Sequence, residues 1–419
     1  MLGIILNGLF VFSVIFIWFM LLYQFVLCLG GFLLRQRRHL PAPVDDARLP
    51  SVTVLIPARD EGTVIADSIS RLRALRYPEG KLEFMIVNDA SRDDTLATAR
   101  RQAGNDPRFT FVDIPAEEGG RGKSAALNRA FRAARGEALA VYDADNLPDA
   151  EALRLLAAAL VSDRRLAAVT GKFRAYNAGR NLLTRLINLE SVAFQWIIQA
   201  GRWFFLRIST LPGTNYIIWK RVVESLGGWD EEALTEDAEL TFRIYQEGYL
   251  VAFLPVAVTW EQEPERLAVW VRQRTRWARG NNYLIGKFSR RLLRRRPNAA
   301  TFELLNLFYL YYLFVFAILF SDLIFLLSLS GLVHVRLVGP YFELWALAFL
   351  LFVLEMMIAL SFEREDSPLN LLAALLAYFT YTKLWVFIVL KGLYLDLVRG
   401  KERAWAKTER FANRTKQGK

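Results

Sequence analysis

The sequence predicts an α/β domain with a mostly parallel sheet, set among α-helical transmembrane and interfacial segments. Three observations lead there. The 419 residues are 54% hydrophobic with a positive mean hydropathy, which suits a membrane protein carrying a sizeable polar domain better than a wholly soluble chain. Long uncharged runs stand at the start and again in the last third. Between them, residues 51–264 alternate short apolar runs with helical patterns, the mark of βαβ units.

Leu2 to Leu34 carries no charge and lacks the basic start of a signal peptide, so residues 1–34 are expected to form a retained transmembrane helix. Arg35, Arg37 and Arg38 follow, placing residue 35 onward on the cytoplasmic side. Pro41, Pro43 and Pro50 mark 35–50 as a linker. In 51–264 strands are expected at Val52–Ile56, Phe84–Val87, Phe109–Val112 and Ala138–Tyr142. Helices are expected near Ala66–Leu75, Thr95–Arg101 and Lys123–Arg135, with another strand at Tyr216–Trp219. Residues 181–207 and 265–300 mix Trp and Phe with arginines and read as helices at a membrane surface. Residues 301–398 hold three apolar segments, Leu304–Val333, Tyr341–Phe362 and Leu369–Val398, each long enough to span a bilayer. Residues 399–419 form a basic tail. Three crossings would put that tail outside, against the positive-inside tendency. The expectation is therefore a cytoplasmic tail, with one segment, the start of Leu304–Val333 being the candidate, re-entrant or interfacial.

Composition also excludes. Cys28 stands alone in an apolar run, so no disulfide framework exists. His39 and His334 are the only histidines, which leaves acid and base work to carboxylates. The net charge of +11 gathers at the feet of the apolar segments, at Arg290, Arg291, Arg294, Arg295 and Arg296 and from Lys401 to Lys419, which fits anionic lipid and not nucleic acid.

Polar groups cluster at the carboxyl ends of the expected strands, where ligands of such sheets gather. Arg59 and Glu61 follow the first strand and Asp89 the second; together they can form a nucleotide pocket, or a plain turn. Asp143-Ala144-Asp145 follows the fourth. Two carboxylates one residue apart can hold a hard divalent cation against diphosphate oxygens, or can cap the next helix. Lys123 begins a helix without the spacing of an ATPase phosphate loop and can face a pyrophosphate. Thr235-Glu236-Asp237 reads as an N-cap followed by first-turn acids, or with Asp237 as general base. Gln273, Arg276 and Trp277 share one helix face, at i, i+3 and i+4, fit to contact diphosphate and to stack on a sugar, or equally to anchor an interfacial helix. Gly213, Thr214 and Asn215 precede a strand and are candidates to line an acceptor path, or a turn.

In that order, Asp89, Asp143-x-Asp145, Thr235-Glu236-Asp237 and Gln273-x-x-Arg276-Trp277 resemble the processive branch of the family 2 glycosyltransferases, which includes cellulose, hyaluronan, chitin and poly-N-acetylglucosamine synthases. The resemblance covers Val52 to Gly280. It implies a GT-A fold, a UDP-sugar donor, Mg²⁺ or Mn²⁺, inversion at the anomeric carbon, and a polymer extended through a channel of the same chain. It assigns Lys123 to the uridine nucleotide, Asp237 with Glu236 to catalysis, and Trp277 to the acceptor. The implied partners are the donor, a growing polysaccharide or a lipid acceptor, membrane lipids, and a small membrane subunit. Asn88-Asp89-Ala90-Ser91 departs from the family's Asp-Asp-Gly-Ser. With no room for a cyclic-dinucleotide domain, the chain looks most like the poly-N-acetylglucosamine synthases. A non-processive glycolipid transferase of the ceramide or hopanoid type and a silent membrane scaffold are the competing readings.

Overall fold

In the computed structural model, residues 2–37, 40–292, 297–331, 340–399 and 409–410 are described. Arg294 to Arg296, His39, His334, Val333 and the 401–419 tail apart from Glu409 and Arg410 lie outside them.

One eight-stranded sheet organises the catalytic part. The strands are β1 (Val52–Ala58), β2 (Leu82–Asp89), β3 (Phe109–Ile114), β4 (Ala138–Val141), β5 (Leu147–Pro148), β6 (Leu166–Ala175), β7 (Tyr216–Trp219) and β8 (Leu250–Glu261). Their order is β3-β2-β1-β4-β7-β6-β8-β5, with parallel pairing from β3 through β4 and between β6 and β8, and antiparallel pairing at β7 and at β5. The expected strands appear within a few residues. β6 and β8 were not expected, because both run apolar through the core and lack the alternation of a half-exposed strand. Val54, Ile56, Phe84 and Ile86 fill the layer beneath α2 (Ile65–Arg73) and α3 (Thr95–Ala103). Leu55, Val87, Leu139 and Val141 fill the opposite layer, under α4 (Lys123–Ala133).

Three helices among the described residues are long and apolar enough to cross a membrane: Leu6–Gln36 within α1 (Leu2–Gln36), Ala299–Ser328, and Glu343–Phe362 within α13 (Tyr341–Phe362). The second runs from α11 (Ala299–Phe308) through a π turn into α12 (Val315–Leu329). Ile15, Leu326 and Leu350 are 63%, 61% and 58% exposed, apolar surface that belongs in hydrocarbon.

The stretch expected at 181–207 is helical throughout: α6 (Leu182–Ala193), a π turn and α7 (Ala200–Leu206). An Asn181–Thr184 capping box starts it. Gly201 and Gly31 let it lie on α1, since a Cβ at either would sit 2.2 Å from the Leu27 carbonyl oxygen or 2.0 Å from that of Trp196. Behind it, Glu363 and Glu365 at the end of α13 pair with Lys172 and Arg174 of β6 and accept from Trp196 and Asn188. This buried cluster ties α13 directly to the sheet.

The last apolar segment is a bent pair, α14 (Pro368–Phe379) and α15 (Tyr381–Arg399), with 43° between them, which by length and composition fits either a broken span or a re-entrant loop. It packs beside α6 and α10 (Leu267–Leu292): Asn370 meets Arg185, Tyr381 meets Glu190, and Asp396 accepts from Arg279 at 2.7 Å and Asn282 at 2.8 Å. Of the tail, Glu409 pairs with Arg272 of α10 and Arg410 with Asp145, so both described residues lie against the α/β domain.

Candidate active site

The site forms where the carboxyl ends of β1, β2 and β4 meet α9 (Glu236–Gln246) and α10. Asp89 closes β2, accepting from the Gly120 N–H at 2.7 Å and lying 3.8 Å from Arg59. Glu61 lies beside them, its N–H donating to the Thr95 hydroxyl at 2.7 Å. Gly120, at φ +79°, carries the chain past the Arg59 guanidinium, which a Cβ there would strike at 2.7 Å.

Lys123 is the hub. As first residue of α4 it sends Nζ to Asp143 Oδ1 at 2.6 Å, the Gly213 carbonyl at 2.7 Å and Glu236 at 3.4 Å. Burial alone would discharge it, but Asp143 and Glu236 outweigh burial and hold its pKa above the usual lysine range. A cleft of about 310 Å³ opens beside it, between Arg121–Ser124 and Glu231–Leu234.

Gly213, at φ +88°, brings the two acidic strings together. A Cβ there would stand 3.1 Å from Asp237 Oδ2 and 3.5 Å from Lys123 Nζ. Gly213→Ala should therefore cut turnover at least about tenfold and lower the thermal midpoint, since a left-handed alanine costs roughly 1–2 kcal/mol before it displaces the carboxylate. Turnover and melting of the purified variant check both.

Asp237 is half-buried, and its carboxyl is pushed up to about 7, chiefly by desolvation and then by Glu236, against the opposing pull of Lys123. Thr235 departs from the capping reading: its hydroxyl makes no cap bond and is buried without a partner. It packs on Gly280 of α10, where a Cβ would stand 2.4 Å from it, so this contact is what lets the two motif helices touch. Arg276 donates to the Leu234 carbonyl at 3.2 Å; burial lowers its pKa, opposed by the charges of Glu236, Asp237 and Asp143. Gln273 keeps Oε1 buried without a partner, and Trp277 is half-buried.

Thr214 and Asn215 depart from the expected acceptor lining. Both are buried; Thr214 accepts from the Asp143 N–H at 3.2 Å and bonds Asn146, bracing the Asp143–Asp145 turn. Asn215 donates to the carbonyls of Lys172 and Ala257, each at 2.9 Å, and locks β7 to its neighbours.

Asp145 faces a group that sequence reasoning missed. Arg410 reaches it at 3.0 Å and donates to the Gln262 carbonyl at 2.8 Å. Burial pushes the Asp145 carboxyl up and Arg410 opposes it, while Glu261, also buried, is raised by burial, Glu263 and Asp145. Only a basic tail announced Arg410, with no spacing to link it to position 145. The donor set of Asp143 and Asp145 is hard oxygen, which fits Mg²⁺ or Mn²⁺ held by two carboxylates and completed by diphosphate and water. Because Arg410 competes for Asp145, Arg410→Gln should tighten Mn²⁺ binding by about tenfold, one unit-charge contact of ~1.4 kcal/mol. Titration of Mn²⁺ by its paramagnetic signal reads this directly.

The sheet order and the polar groups at its carboxyl ends make this a GT-A-like glycosyltransferase fold. A family model described as Glycosyltransferase like family 2 matches residues 50–280, and the chain belongs to that family. It is 42% identical over 419 residues, 98% of this chain and 100% of the relative, to the probable glycosyltransferase YdaM of Bacillus subtilis. It is 30% identical over 237 residues, 57% of this chain and 56% of the relative, to the poly-beta-1,6-N-acetyl-D-glucosamine synthase of Staphylococcus aureus. In fold it matches the mannosyltransferase PcManGT of Pyrobaculum calidifontis, solved with GDP-Man and Mn²⁺, at TM-score 0.58 and 22% identity over 89% of this chain and 99% of that one.

Proposed function

We propose that this glycosyltransferase inverts a UDP-sugar donor and extends a β-linked polysaccharide of the hexose or N-acetylhexosamine class, which it exports past its own apolar helices. Its setting is the bacterial cytoplasmic membrane, with the catalytic domain inside. The observation that carries the reading is Asp237, a half-buried carboxylate set against Lys123 and Asp143 through Gly213, with Arg276 beside it. The poly-N-acetylglucosamine synthase relative supports the polymer and the sugar class.

The reaction is a single displacement. An acceptor hydroxyl oxygen attacks the anomeric carbon, the bond from that carbon to the diphosphate oxygen breaks with its electron pair leaving on UDP, and the hydroxyl proton passes to Asp237. Lys123 and Arg276 oppose the charge that gathers on the departing diphosphate. Asp143 and Asp145 would hold Mg²⁺ or Mn²⁺ there, supplying Lewis-acid stabilisation of the same charge. Arg59 and Asp89 border the nucleotide, and Trp277 offers its ring to the acceptor sugar.

The test is UDP release by the purified full chain in detergent against a panel of UDP-sugars, and GDP-mannose, with Mg²⁺, Mn²⁺ or chelator, products sized on a gel. Long product from one UDP-sugar, abolished by chelator, supports the reading. A single sugar added to lipid would move it to the glycolipid transferases.

A further inference from the structure

Arg274, between the motif residues Gln273 and Arg276, is among the largest fully buried side chains, 2% exposed. Its guanidinium carbon lies 3.8 Å from the centre of the Trp277 ring, a stacked contact one helical turn along the same face of α10. One amino group donates to Glu190 of α6 at 3.0 Å. Glu190 also accepts from the Tyr381 hydroxyl of α15, and that hydroxyl in turn accepts from Trp270 Nε1 at 3.0 Å. Glu263 adds a second carboxylate to the field around Arg274. Arg274 Nε and the other amino nitrogen are buried without partners.

That arrangement is poor as mere packing. A guanidinium out of water with two unsatisfied donors is a net liability that an apolar side chain would avoid. What it does supply is direction. Only a planar cation clamped at one edge can lie flat beneath an indole and fix its tilt.

We infer that Arg274 is a positioning residue: clamped by Glu190 and Tyr381, it seats the Trp277 ring as a fixed platform for the acceptor sugar, and so couples α6 and α15 to acceptor alignment. This rests on the proposed transfer reaction, in which Trp277 takes the acceptor. The donor-side groups, Lys123, Asp143 and Arg276, are not among its contacts. Loss of Arg274 therefore leaves donor binding and activation in place while the acceptor hydroxyl is misaimed, and water takes its turn as nucleophile.

The test uses the full chain in lipid nanodiscs with the UDP-sugar that wild type consumes, measuring total UDP release and the sugar incorporated into product. Arg274→Gln, Arg274→Lys, Glu190→Gln and Tyr381→Phe are compared. Expected is a fall of about tenfold or more in sugar incorporated per UDP released for both Arg274 variants, with the KM for UDP-sugar within about twofold of wild type. The Glu190 and Tyr381 variants should shift in the same direction by less, which keeps the test sound where Arg274→Gln fails to fold. An unchanged ratio across the folded variants, or a KM for UDP-sugar that rises in step with lost incorporation, overturns the inference. Wild type that releases UDP from none of the sugars overturns the transfer reading itself, and this inference with it.

Discussion

Asp237→Asn is expected to lower turnover by roughly 10²–10⁴-fold, equivalent to ~3–5 kcal/mol of lost transition-state stabilisation, while the KM for donor stays near that of wild type. Asparagine keeps the shape of the side chain against Gly213 but cannot accept a proton. The alternative bases nearby are unsuited: Lys123 is held protonated, and Glu236 is engaged with it. The same residue sets a pH dependence. With the Asp237 carboxyl pushed up to about 7, the base is protonated below that value, so turnover rises as pH rises through about 7 and falls away on the acid side. The variant should lose this limb. A pH–rate profile of both proteins checks the sign, and a retained acid limb near 7 in the asparagine protein would assign it to another group.

Lys123→Met is expected to do two things at once. It leaves Asp143, 32% exposed, and the buried Glu236 without the cation that lies 2.6 and 3.4 Å from them. Leaving a buried charged group without its partner costs about 1–3 kcal/mol, enough to lower the unfolding midpoint in a chain of ordinary marginal stability. Donor binding should weaken together with it, since in the proposed reaction the same ammonium opposes the diphosphate charge. Lys123→Arg should recover part of the stability and little of the activity, since the guanidinium fork is too large for the space between Gly213 and Asp143. Thermal unfolding followed beside the KM for UDP-sugar separates the two effects.

The proposed positioning role of Arg274 adds a structural sense to the bent α14–α15 pair. The pair packs on α10, and through Tyr381 and Glu190 it reaches the helix that carries Gln273, Arg276 and Trp277. The buried Glu363 cluster separately ties α13 to β6.

What the sequence determined by itself was the chemistry and its order along the chain. Asp89, Asp143, Asp145, Asp237 and Arg276 are legible because residue type, spacing and position at strand ends or helix starts are local properties. The first four strands were legible for the same reason. Only the tertiary structure decided the rest. Thr214 and Asn215 look like loop polar groups until β7 pairs between β4 and β6 and buries both. Thr235 reads as a cap until Gly280 packs on its hydroxyl. The last apolar segment reads as one uninterrupted run until its 43° bend and its polar contacts with α6 and α10 are seen. Arg274 and Arg410 lie 84 and 265 residues from the acids they meet, Glu190 and Asp145. No local pattern encodes such a pairing, because burial and long-range charge pairing depend on which surfaces the folded chain brings together, and that is a property of packing.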